Sequence, residues 1–207
     1  MPSSPKIGKE RILQAALNLL IREGYAALNI KALANELGSS TQPISWHFGN
    51  MEGLRKALTD YALSYANQKM CPSSENGIEA FAEVGVSYIN IAFDEPNLFR
   101  FLYLDGHNGY CANNLDVLII DEENAQLIDR ITAYLDIPRE RASRYLQNTI
   151  IYTHGLAALI ASGVMQSTKA QVMEMVNKAA DAFLLQAGVH PSKIDSLKNP
   201  LTAGGET

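Results

Sequence analysis

The sequence lacks the features that mark membrane-spanning, secreted and thiolate-rich proteins. Its 207 residues include two cysteines, Cys71 and Cys111, too few for a disulfide framework or a thiolate metal site. No apolar run is long enough to cross a bilayer, and the first residues, MPSSPKIGKERI, contain no signal-peptide core. We therefore expect a cytoplasmic protein in which both cysteines are buried as small hydrophobic side chains.

Motifs for the common catalytic chemistries are also missing. The chain contains no G-x-S-x-G, no HExxH, no glycine-rich phosphate loop and no clustered carboxylates before an aromatic cleft. An enzyme would need a nucleophile, a base and an orienting group within reach of one another. His107 and Cys111 are close in sequence, but no third ligand follows at metal spacing. The sequence predicts a protein that is not an enzyme and that needs no metal or other cofactor.

Strand-like alternation and internal repeats are absent, and helical periodicity runs through the whole chain. The pattern predicts an all-α protein with a three-helix domain in residues 1–50 and a larger helical domain in residues 51–190. Residues 191–207 are expected to form a flexible tail. Beyond a short helix after Pro96, the main helices are predicted over residues 9–22, 51–69, 76–93, 114–135, 138–162 and 168–187.

Between Leu28 and Glu52 the sequence has the pattern of two short helices joined by a tight turn. Asn29 is a good N-cap for the first of them. The apolar residues that follow recur at i, i+3, i+4 and i+7 and form one buried stripe: Ile30, Leu33, Ala34 and Leu37. Gly38 comes directly after this stripe and can take the left-handed conformation that a tight turn requires.

The second short helix has one apolar and one polar face. Ser40 or Thr41 can cap it, and Pro43 fits its first turn, where a missing N–H costs little. Ile44 and Phe48 are four residues apart and can pack inward. The side chains left pointing outward are Thr41, Gln42, Ser45 and Trp46. A short helix of this kind suits the DNA major groove, so we expect a helix-turn-helix DNA-binding domain.

Individual contacts with DNA can be assigned to this domain. Gln42 is the best candidate for reading a base, because its amide can bond adenine at N6 and N7. Trp46 can cover a thymine methyl group or a sugar–phosphate edge, or alternatively pack against the next helix. His47 can donate to a phosphate or serve a structural role, and the helix that Asn29 caps can present its N-terminus to a phosphate. The candidate DNA-contacting residues are Lys6, Lys9, Asn29, Lys31, Thr41, Gln42, Ser45, Trp46 and His47.

The charge distribution favours a nucleic-acid partner even though the formal net charge is −5. Residues 1–57 contain seven Lys and Arg against four acidic residues, whereas residues 58–207 contain ten against eighteen. Charges more than about 10 Å apart are largely screened at 0.1 M salt. The basic N-terminal part can therefore meet double-stranded DNA in spite of its acidic remainder.

The penultimate helix of the predicted set is apolar on almost every side, as TIIYTHGLAALIASG shows. Such a helix must be buried all round, and a second copy of the chain can cover the side that the preceding helices leave open. The alternative is the buried central helix of a monomer. The residues of the last two helices that are expected to face a partner in a homodimer are Thr153, Leu156, Ala157, Ile160, Ala161, Val172, Val176, Ala179 and Phe183.

Aromatic side chains among the apolar helices of the larger domain predict a pocket for a small organic ligand. Each of them singly can also be plain core, and His154 can hydrogen-bond locally rather than meet a ligand. The residues assigned to the pocket are Tyr88, Phe99, Tyr103, Tyr110 and Tyr152.

Several of these segments occur in a recognisable order and spacing. ILQAALNLLIREGY, IKALANELGSS and ISWHFGNMEGL lie in the first third of the chain, and EPNLFRFLYLDG and THGLAALIASG lie further on. In this arrangement the chain resembles the TetR family of bacterial transcriptional regulators. The resemblance implies a homodimer that places two helix-turn-helix units in successive major grooves of a palindromic operator. It also implies a repressor that a small ligand in the larger domain releases from DNA.

Two positions depart from the pattern of that family. Ser45 stands where a Tyr that reaches phosphate is common, and Met51 stands where a Lys is common at the start of the fourth helix. Both changes remove contacts with the DNA backbone, which supply much of the affinity. The cations that can compensate are Lys6, Lys9, Lys31 and Arg55. The alternative function is a small-molecule-binding or scaffold protein with weakened DNA binding.

Overall fold

The computed structural model of the chain describes residues 7–105 and 122–198. Within these two ranges the regular secondary structure is entirely helical, which confirms the all-α prediction. No helix in the described part is both long and apolar enough to cross a membrane. The helices are α1 (Lys9–Glu23), α2 (Ile30–Glu36), α3 (Gln42–Phe48), α4 (Met51–Met70), α5 (Gly77–Asp94), α6 (Pro96–Tyr103), α7 (Glu122–Leu135), α8 (Arg139–Ala161), α9 (Lys169–Gln186) and α10 (Pro191–Lys198), with a short 3₁₀ turn over Tyr25–Ala27.

Several helix ends coincide with residues that favour the start or the end of a helix. Pro96 opens α6 in its first turn, where a missing N–H costs little. Asp136, with φ of 54°, follows α7 directly and ends it. Thr168 forms a capping box with Gln171 at the start of α9, so that two backbone N–H groups find side-chain partners. Residues 114–121 of the predicted seventh helix lie outside the described residues.

The described residues form two compact units. The first contains residues 7–71, 90–105 and 157–166. Its core is built from fully buried side chains of α1, α4 and α6, among them Ile12, Leu20, Leu58, Phe99 and Phe101. Because α1 packs on α2, α3, α4 and α6, the two short helices rest on a long one that is itself buried on its other side.

Polar contacts at the start of α6 reinforce this first unit. The Asn97 side-chain amide donates to the Ile21 carbonyl at 2.9 Å, near the end of α1. The Glu95 carboxylate accepts from the Tyr65 hydroxyl at 2.8 Å and pairs with the Lys69 ammonium at 2.5 Å, both on α4. The beginning of α6 is therefore fastened to both long helices that support the short ones.

The second unit contains residues 72–89, 122–156 and 167–198. Its hydrophobic core joins residues of five helices and two connections: Ile78, Ile128, Ile131, Leu135, Ile137, Ala142, Tyr145, Leu146, Leu184, Ala187, Val189 and Ile194. Tyr145 is buried in this core, and burial raises the pKa of its hydroxyl to about 12.

The prediction of a flexible tail from residue 191 onward is wrong for residues 191–198. These residues form α10, which packs on α9. Ile194 is buried and Leu197, three residues later, packs against the same core. Two apolar residues at helical spacing, Ile194 and Leu197, are therefore sufficient to pack an otherwise polar helix against the core.

The prediction that both cysteines are buried is wrong for Cys71, which is exposed. It follows the last residue of α4, and Pro72 comes next. The residue before a proline avoids helical geometry, so the helix ends there and Cys71 leaves its buried face. Cys111 and His107 lie outside the described residues.

Candidate nucleic-acid interface

The interface begins with α2 and the turn after it. The Asn29 side chain caps α2 by accepting from the Ala32 N–H at 2.9 Å, as predicted. Gly38 has φ of 60°, and Ser39 N–H donates to the Ala34 carbonyl across it at 2.9 Å. The positive φ favours glycine at this position, and it turns the chain sharply enough to start a second helix.

The seven-residue helix α3 is held from one side. Ile44 is fully buried, and Pro43 lies in the first turn. Thr41 is the N-cap residue, but its side chain makes no capping hydrogen bond. The expectation of a side-chain cap from Ser40 or Thr41 is therefore wrong, because the backbone of Thr41 is itself close to helical there.

The outward face of α3 carries the side chains that were predicted to point away from the core. Gln42, Ser45 and Trp46 are exposed at i, i+3 and i+4, and so is Thr41 just before them. The Trp46 side chain is 75% exposed, so it does not pack against α4. A planar aromatic group of this size standing in solvent favours contact with a partner surface.

The side chain of the next residue, His47, forms a hydrogen bond within the chain. Its Nε2 lies 3.0 Å from the Ile7 carbonyl oxygen, forty residues away in sequence. A carbonyl can only accept, so His47 donates and its Nε2 carries the proton. This contact supports the structural role that was the alternative for His47, and it ties the segment before α1 to α3.

Cationic side chains lie around the face rather than on it. Lys9 on α1 and Lys31 on α2 are exposed, and the Lys9 ammonium lies 5.9 Å from the centre of the Phe48 ring. Arg55 is paired with Glu52 at 2.5 Å, which limits it as a phosphate contact. Lys6 lies outside the described residues.

Another arginine of the same unit connects two of its helices. Arg22 at the end of α1 donates to both carboxylate oxygens of Glu36 at the end of α2, at 3.2 and 3.0 Å. Its guanidinium holds the pKa of the Glu36 carboxyl below its ordinary value. The two-point geometry fixes the angle between these helices more than it stabilises them, because the pair is exposed.

The junction between α3 and α4 depends on a glycine that sequence reasoning missed. Asn50 caps α4 by accepting from the Gly53 N–H at 3.0 Å, and its own N–H donates to the Phe48 carbonyl. The Phe48 carbonyl oxygen closes on the Cα of Gly53 so tightly that a Cβ there would overlap it. The sequence signal was a glycine in the first turn of a helix, where Gly is otherwise unfavourable.

The N-terminal part of the chain also matches a known family. Residues 12–58 match the family model described as bacterial regulatory proteins, tetR family. Over these residues the chain is similar to the TetR family. The match begins in α1 and ends in α4, so it contains both short helices and the glycine junction.

One curated relative is similar to part of this chain. An uncharacterized HTH-type transcriptional regulator of Mycobacterium tuberculosis is 40% identical over 53 residues, which is 26% of this chain and 24% of the relative. The matched stretch thus spans about a quarter of the curated relative.

Solved structures share its fold over a greater length. A TetR variant from Acinetobacter baumannii AYE, in complex with minocycline, has a TM-score of 0.56 at 20% identity and covers 87% of this chain and 96% of its own. BioQ with its double-stranded DNA operator has a TM-score of 0.51 at 16% identity, covering 84% of this chain and 98% of its own. These likenesses show a common fold.

The aromatic residues assigned to a ligand pocket are divided between the two units. Phe99, which is fully buried, and Tyr103 belong to the first unit, with ring centres 5.0 Å apart. Tyr88 and Tyr152 belong to the second, and the Tyr152 ring meets the Phe183 ring edge-on at 6.3 Å. Tyr110 lies outside the described residues, so the pocket stays a prediction.

Two solvent-open surface hollows lie away from these residues. One, of about 430 Å³, lies at the start of α8, and the other, of about 570 Å³, lies along α4. The first is lined by Arg139, Glu140, Ser143, Arg144 and Gln147, and the second by Asp60, Leu63, Ser64, Asn67, Gln68 and Cys71. Neither lining contains an aromatic side chain, so neither hollow is the aromatic pocket that was predicted.

A hydrogen bond joins two of the polar groups in the second unit. The Tyr88 hydroxyl and His154 Nδ1 lie 2.7 Å apart, so α5 and α8 are connected there. Burial lowers the pKa of the His154 imidazole. This bond agrees with the alternative in which His154 hydrogen-bonds within the chain, and the neutral ring is the form that this site favours.

The lowered pKa of His154 predicts how stability depends on pH. Above the pKa that the ring has in the unfolded chain, near 6.5, the ring is neutral in both states. The full contribution of His154 to the free energy of unfolding is then present. As the pH falls below 6.5, the unfolded chain binds a proton that the folded chain resists, so stability decreases. We expect the urea midpoint of His154→Asn to change less between pH 7 and pH 5 than that of the wild type. Equal changes in the two proteins would contradict this assignment.

The residues that were expected to face a partner subunit are largely buried within the single chain. The prediction is wrong for the six buried ones: Thr153, Leu156, Ala157, Ala161, Val172 and Val176. Ile160, Ala179 and Phe183 are half-buried. The exposed apolar side of α8 instead carries Ile151, Gly155 and Leu159, four residues apart. Because the helix is apolar all round, its sequence could not show which side its own chain covers.

Proposed function

We propose that this chain is a DNA-binding transcriptional regulator of the TetR family that acts as a homodimeric repressor on a palindromic operator. The proposal depends chiefly on one observation, the exposed outward face of α3. Gln42, Ser45 and Trp46 stand clear of the protein while Ile44 anchors the same helix. A helix supported in this way can enter a major groove without losing its packing.

The surroundings of α3 support the same proposal. The exposed ammonium groups of Lys9 and Lys31 lie on the helices that flank it, where they can meet phosphates while α3 meets bases. One solved structure of similar fold carries double-stranded operator DNA according to its name. The Mycobacterium relative, whose likeness is confined to 53 residues, is named as a transcriptional regulator.

The dimer is proposed from the exposed apolar side of α8. Ile151 and Leu159 are 40% and 42% exposed, and Leu185 on α9 is 51% exposed. A second copy of the chain would bury these side chains and place a second α3 on the same DNA. Two such helices about 34 Å apart would meet successive major grooves on one side of the duplex.

Release by a small organic ligand completes the proposed function. The aromatic residues Tyr88, Phe99, Tyr103, Tyr110 and Tyr152 stay the candidates for its pocket. A structure of similar fold holds minocycline according to its name, which supports a ligand of this size class. The ligand would weaken DNA binding by binding better to an arrangement in which the two α3 helices no longer match the grooves.

Selection from a pool of random duplexes, followed by binding measurements across a salt series, tests this proposal. The full chain should enrich a palindromic sequence and bind it well above a scrambled duplex of the same length. The alternative, a small-molecule-binding or scaffold protein with weakened DNA binding, is favoured by Ser45 and Met51, which offer no charge to phosphate. Absence of any selected sequence at low salt would favour that alternative.

The exposed lysines predict a definite salt dependence. Each phosphate that a lysine neutralises contributes about 0.9 to the slope of log affinity against log salt concentration. We expect Lys31→Ala to weaken binding to every sequence alike and to reduce this slope by about 0.9, measured by fluorescence anisotropy between 50 and 200 mM salt. Lys193→Ala, in α10, is the matched control and should leave the slope unchanged. A loss confined to one sequence would remove Lys31 from the phosphate contacts.

A further inference from the structure

We infer that α3 reads A·T base pairs, with Gln42 on adenine and Trp46 on the methyl group of a thymine at a neighbouring step. The inference rests on the proposed DNA binding and adds the chemical class of the sequence that is read. It follows from which side chains of α3 are exposed, which are occupied within the chain and which types are missing.

The exposed face of α3 contains no charged side chain. Its three exposed residues are Gln42, Ser45 and Trp46. His47 is withdrawn from this set because its Nε2 donates to the Ile7 carbonyl. The nearby cations Lys9 and Lys31 belong to α1 and α2, and Arg55 on α4 pairs with Glu52. Base contacts made by α3 must therefore come from an amide, a hydroxyl and an indole.

This set of groups fits the two edges of an A·T pair. Adenine presents an acceptor at N7 beside a donor at N6, which a glutamine amide matches with its own donor and acceptor. Thymine presents a methyl group, which an exposed aromatic side chain can cover. Gln42 and Trp46 supply one group for each edge.

The side chains that pair best with the edges of a G·C pair are missing from α3. Guanine presents two acceptors, N7 and O6, which arginine or lysine serves best, and cytosine presents a donor that suits a carboxylate. Residues 42–48 contain none of these side chains. The Ser45 hydroxyl can bond to either pair, so it does not alter the preference.

The spacing of the two residues also restricts where the contacts fall. Residues four apart on a helix have Cβ atoms about 5–6 Å apart. Base pairs rise 3.4 Å per step, so the two side chains reach pairs separated by one or two steps. Each half-site should therefore contain two A·T pairs at this separation, one read through adenine and one through thymine.

Modified duplexes test the two contacts separately with the full-length protein. Once selection has given a site, replacing a single thymine by deoxyuridine removes only the methyl group. We expect this to weaken wild-type binding about fourfold at the thymine under Trp46 and to leave Trp46→Ala unaffected. Replacing adenine by 7-deazaadenine removes the N7 acceptor and should affect the wild type but not Gln42→Ala.

The variants used in this comparison replace exposed side chains, so we expect them to fold like the wild type. Gln42→Ala should reduce discrimination between A·T and G·C at one position by about 5- to 150-fold and leave the other positions unchanged. Asn67→Ala removes an exposed amide from α4 and should respond to both modified duplexes as the wild type does.

The possible results separate the inference from the function on which it depends. A selected site with A·T pairs whose modified bases are sensed through Gln42 and Trp46 supports it. A selected site in which these residues discriminate a G·C pair, or in which neither variant changes the response to the modified bases, overturns it and leaves DNA binding intact. If no sequence is selected at all, the proposed function and the inference both fail.

Discussion

Replacing Gly53 with alanine is expected to displace the end of α3 from the start of α4 and to abolish specific DNA binding. The new methyl group would overlap the Phe48 carbonyl oxygen, a backbone atom that cannot rotate away. The helix dihedrals of Gly53 suit alanine, so the effect comes from the overlap alone. Overpacking of this kind costs about 1–3 kcal/mol, which the gain in helix propensity only partly offsets. Urea unfolding and binding to the selected duplex measure both effects.

Gly85 supplies the matched control for this substitution. It lies inside α5, and apart from the helix's own backbone a Cβ there would have no atom within 4 Å. Gly85→Ala should therefore leave DNA binding unchanged and raise stability by about 0.5–1 kcal/mol, the usual gain for alanine in a helix. If Gly53→Ala unfolds and binds like the wild type, the close approach of Phe48 does not restrict this junction.

Aspartates in place of both Ile151 and Leu159 are expected to separate the proposed dimer into monomers. The two residues lie eight apart on the exposed side of α8, with the exposed Gly155 between them. Two carboxylates that would be buried without partners oppose association strongly, yet in the separated chain they remain in water. A monomer holds one half-site at a time, so affinity for the palindrome should fall by about 10²- to 10⁴-fold.

Sedimentation and half-site binding together decide this second prediction. The double variant should sediment as a monomer and bind an isolated half-site as weakly as the wild type does. Ala133→Asp places one carboxylate at an exposed position on α7 and should stay dimeric with full affinity. A double variant that remains dimeric would show that the subunits meet elsewhere, and a wild-type monomer would remove the dimer from the proposed function.

The sequence predicted the features that depend on neighbouring residues. Asn29 caps α2 and Gly38 makes the turn because each acts within a few residues, through a side-chain oxygen or a permitted positive φ. The exposed positions of Gln42 and Trp46 followed from helical spacing once Ile44 was placed inward. Local signals of this kind were sufficient for the helix-turn-helix and for most helix ends.

Features that depend on distant parts of the chain were missed or misplaced. The hydrogen bond from His47 to the Ile7 carbonyl joins residues that are forty positions apart, and no local sequence pattern predicts it. The overlap that excludes a side chain at Gly53 arises from the path of the chain through the preceding turn. Thr153 and Leu156 were assigned to a partner, whereas they are buried within their own chain. The sequence of a helix that is apolar on every side indicates that the helix is buried, but it does not indicate whether its own chain or a partner covers it.

The bond between His47 and Ile7 has a practical consequence for anyone who produces this protein. Whatever is fused ahead of residue 7 is attached, through that carbonyl, to the helix that is proposed to read DNA. Only residues 1–6 would separate a purification tag or fluorescent protein at the amino end from this contact. We therefore expect the opposite end to be the safer place for a label when DNA affinity is measured.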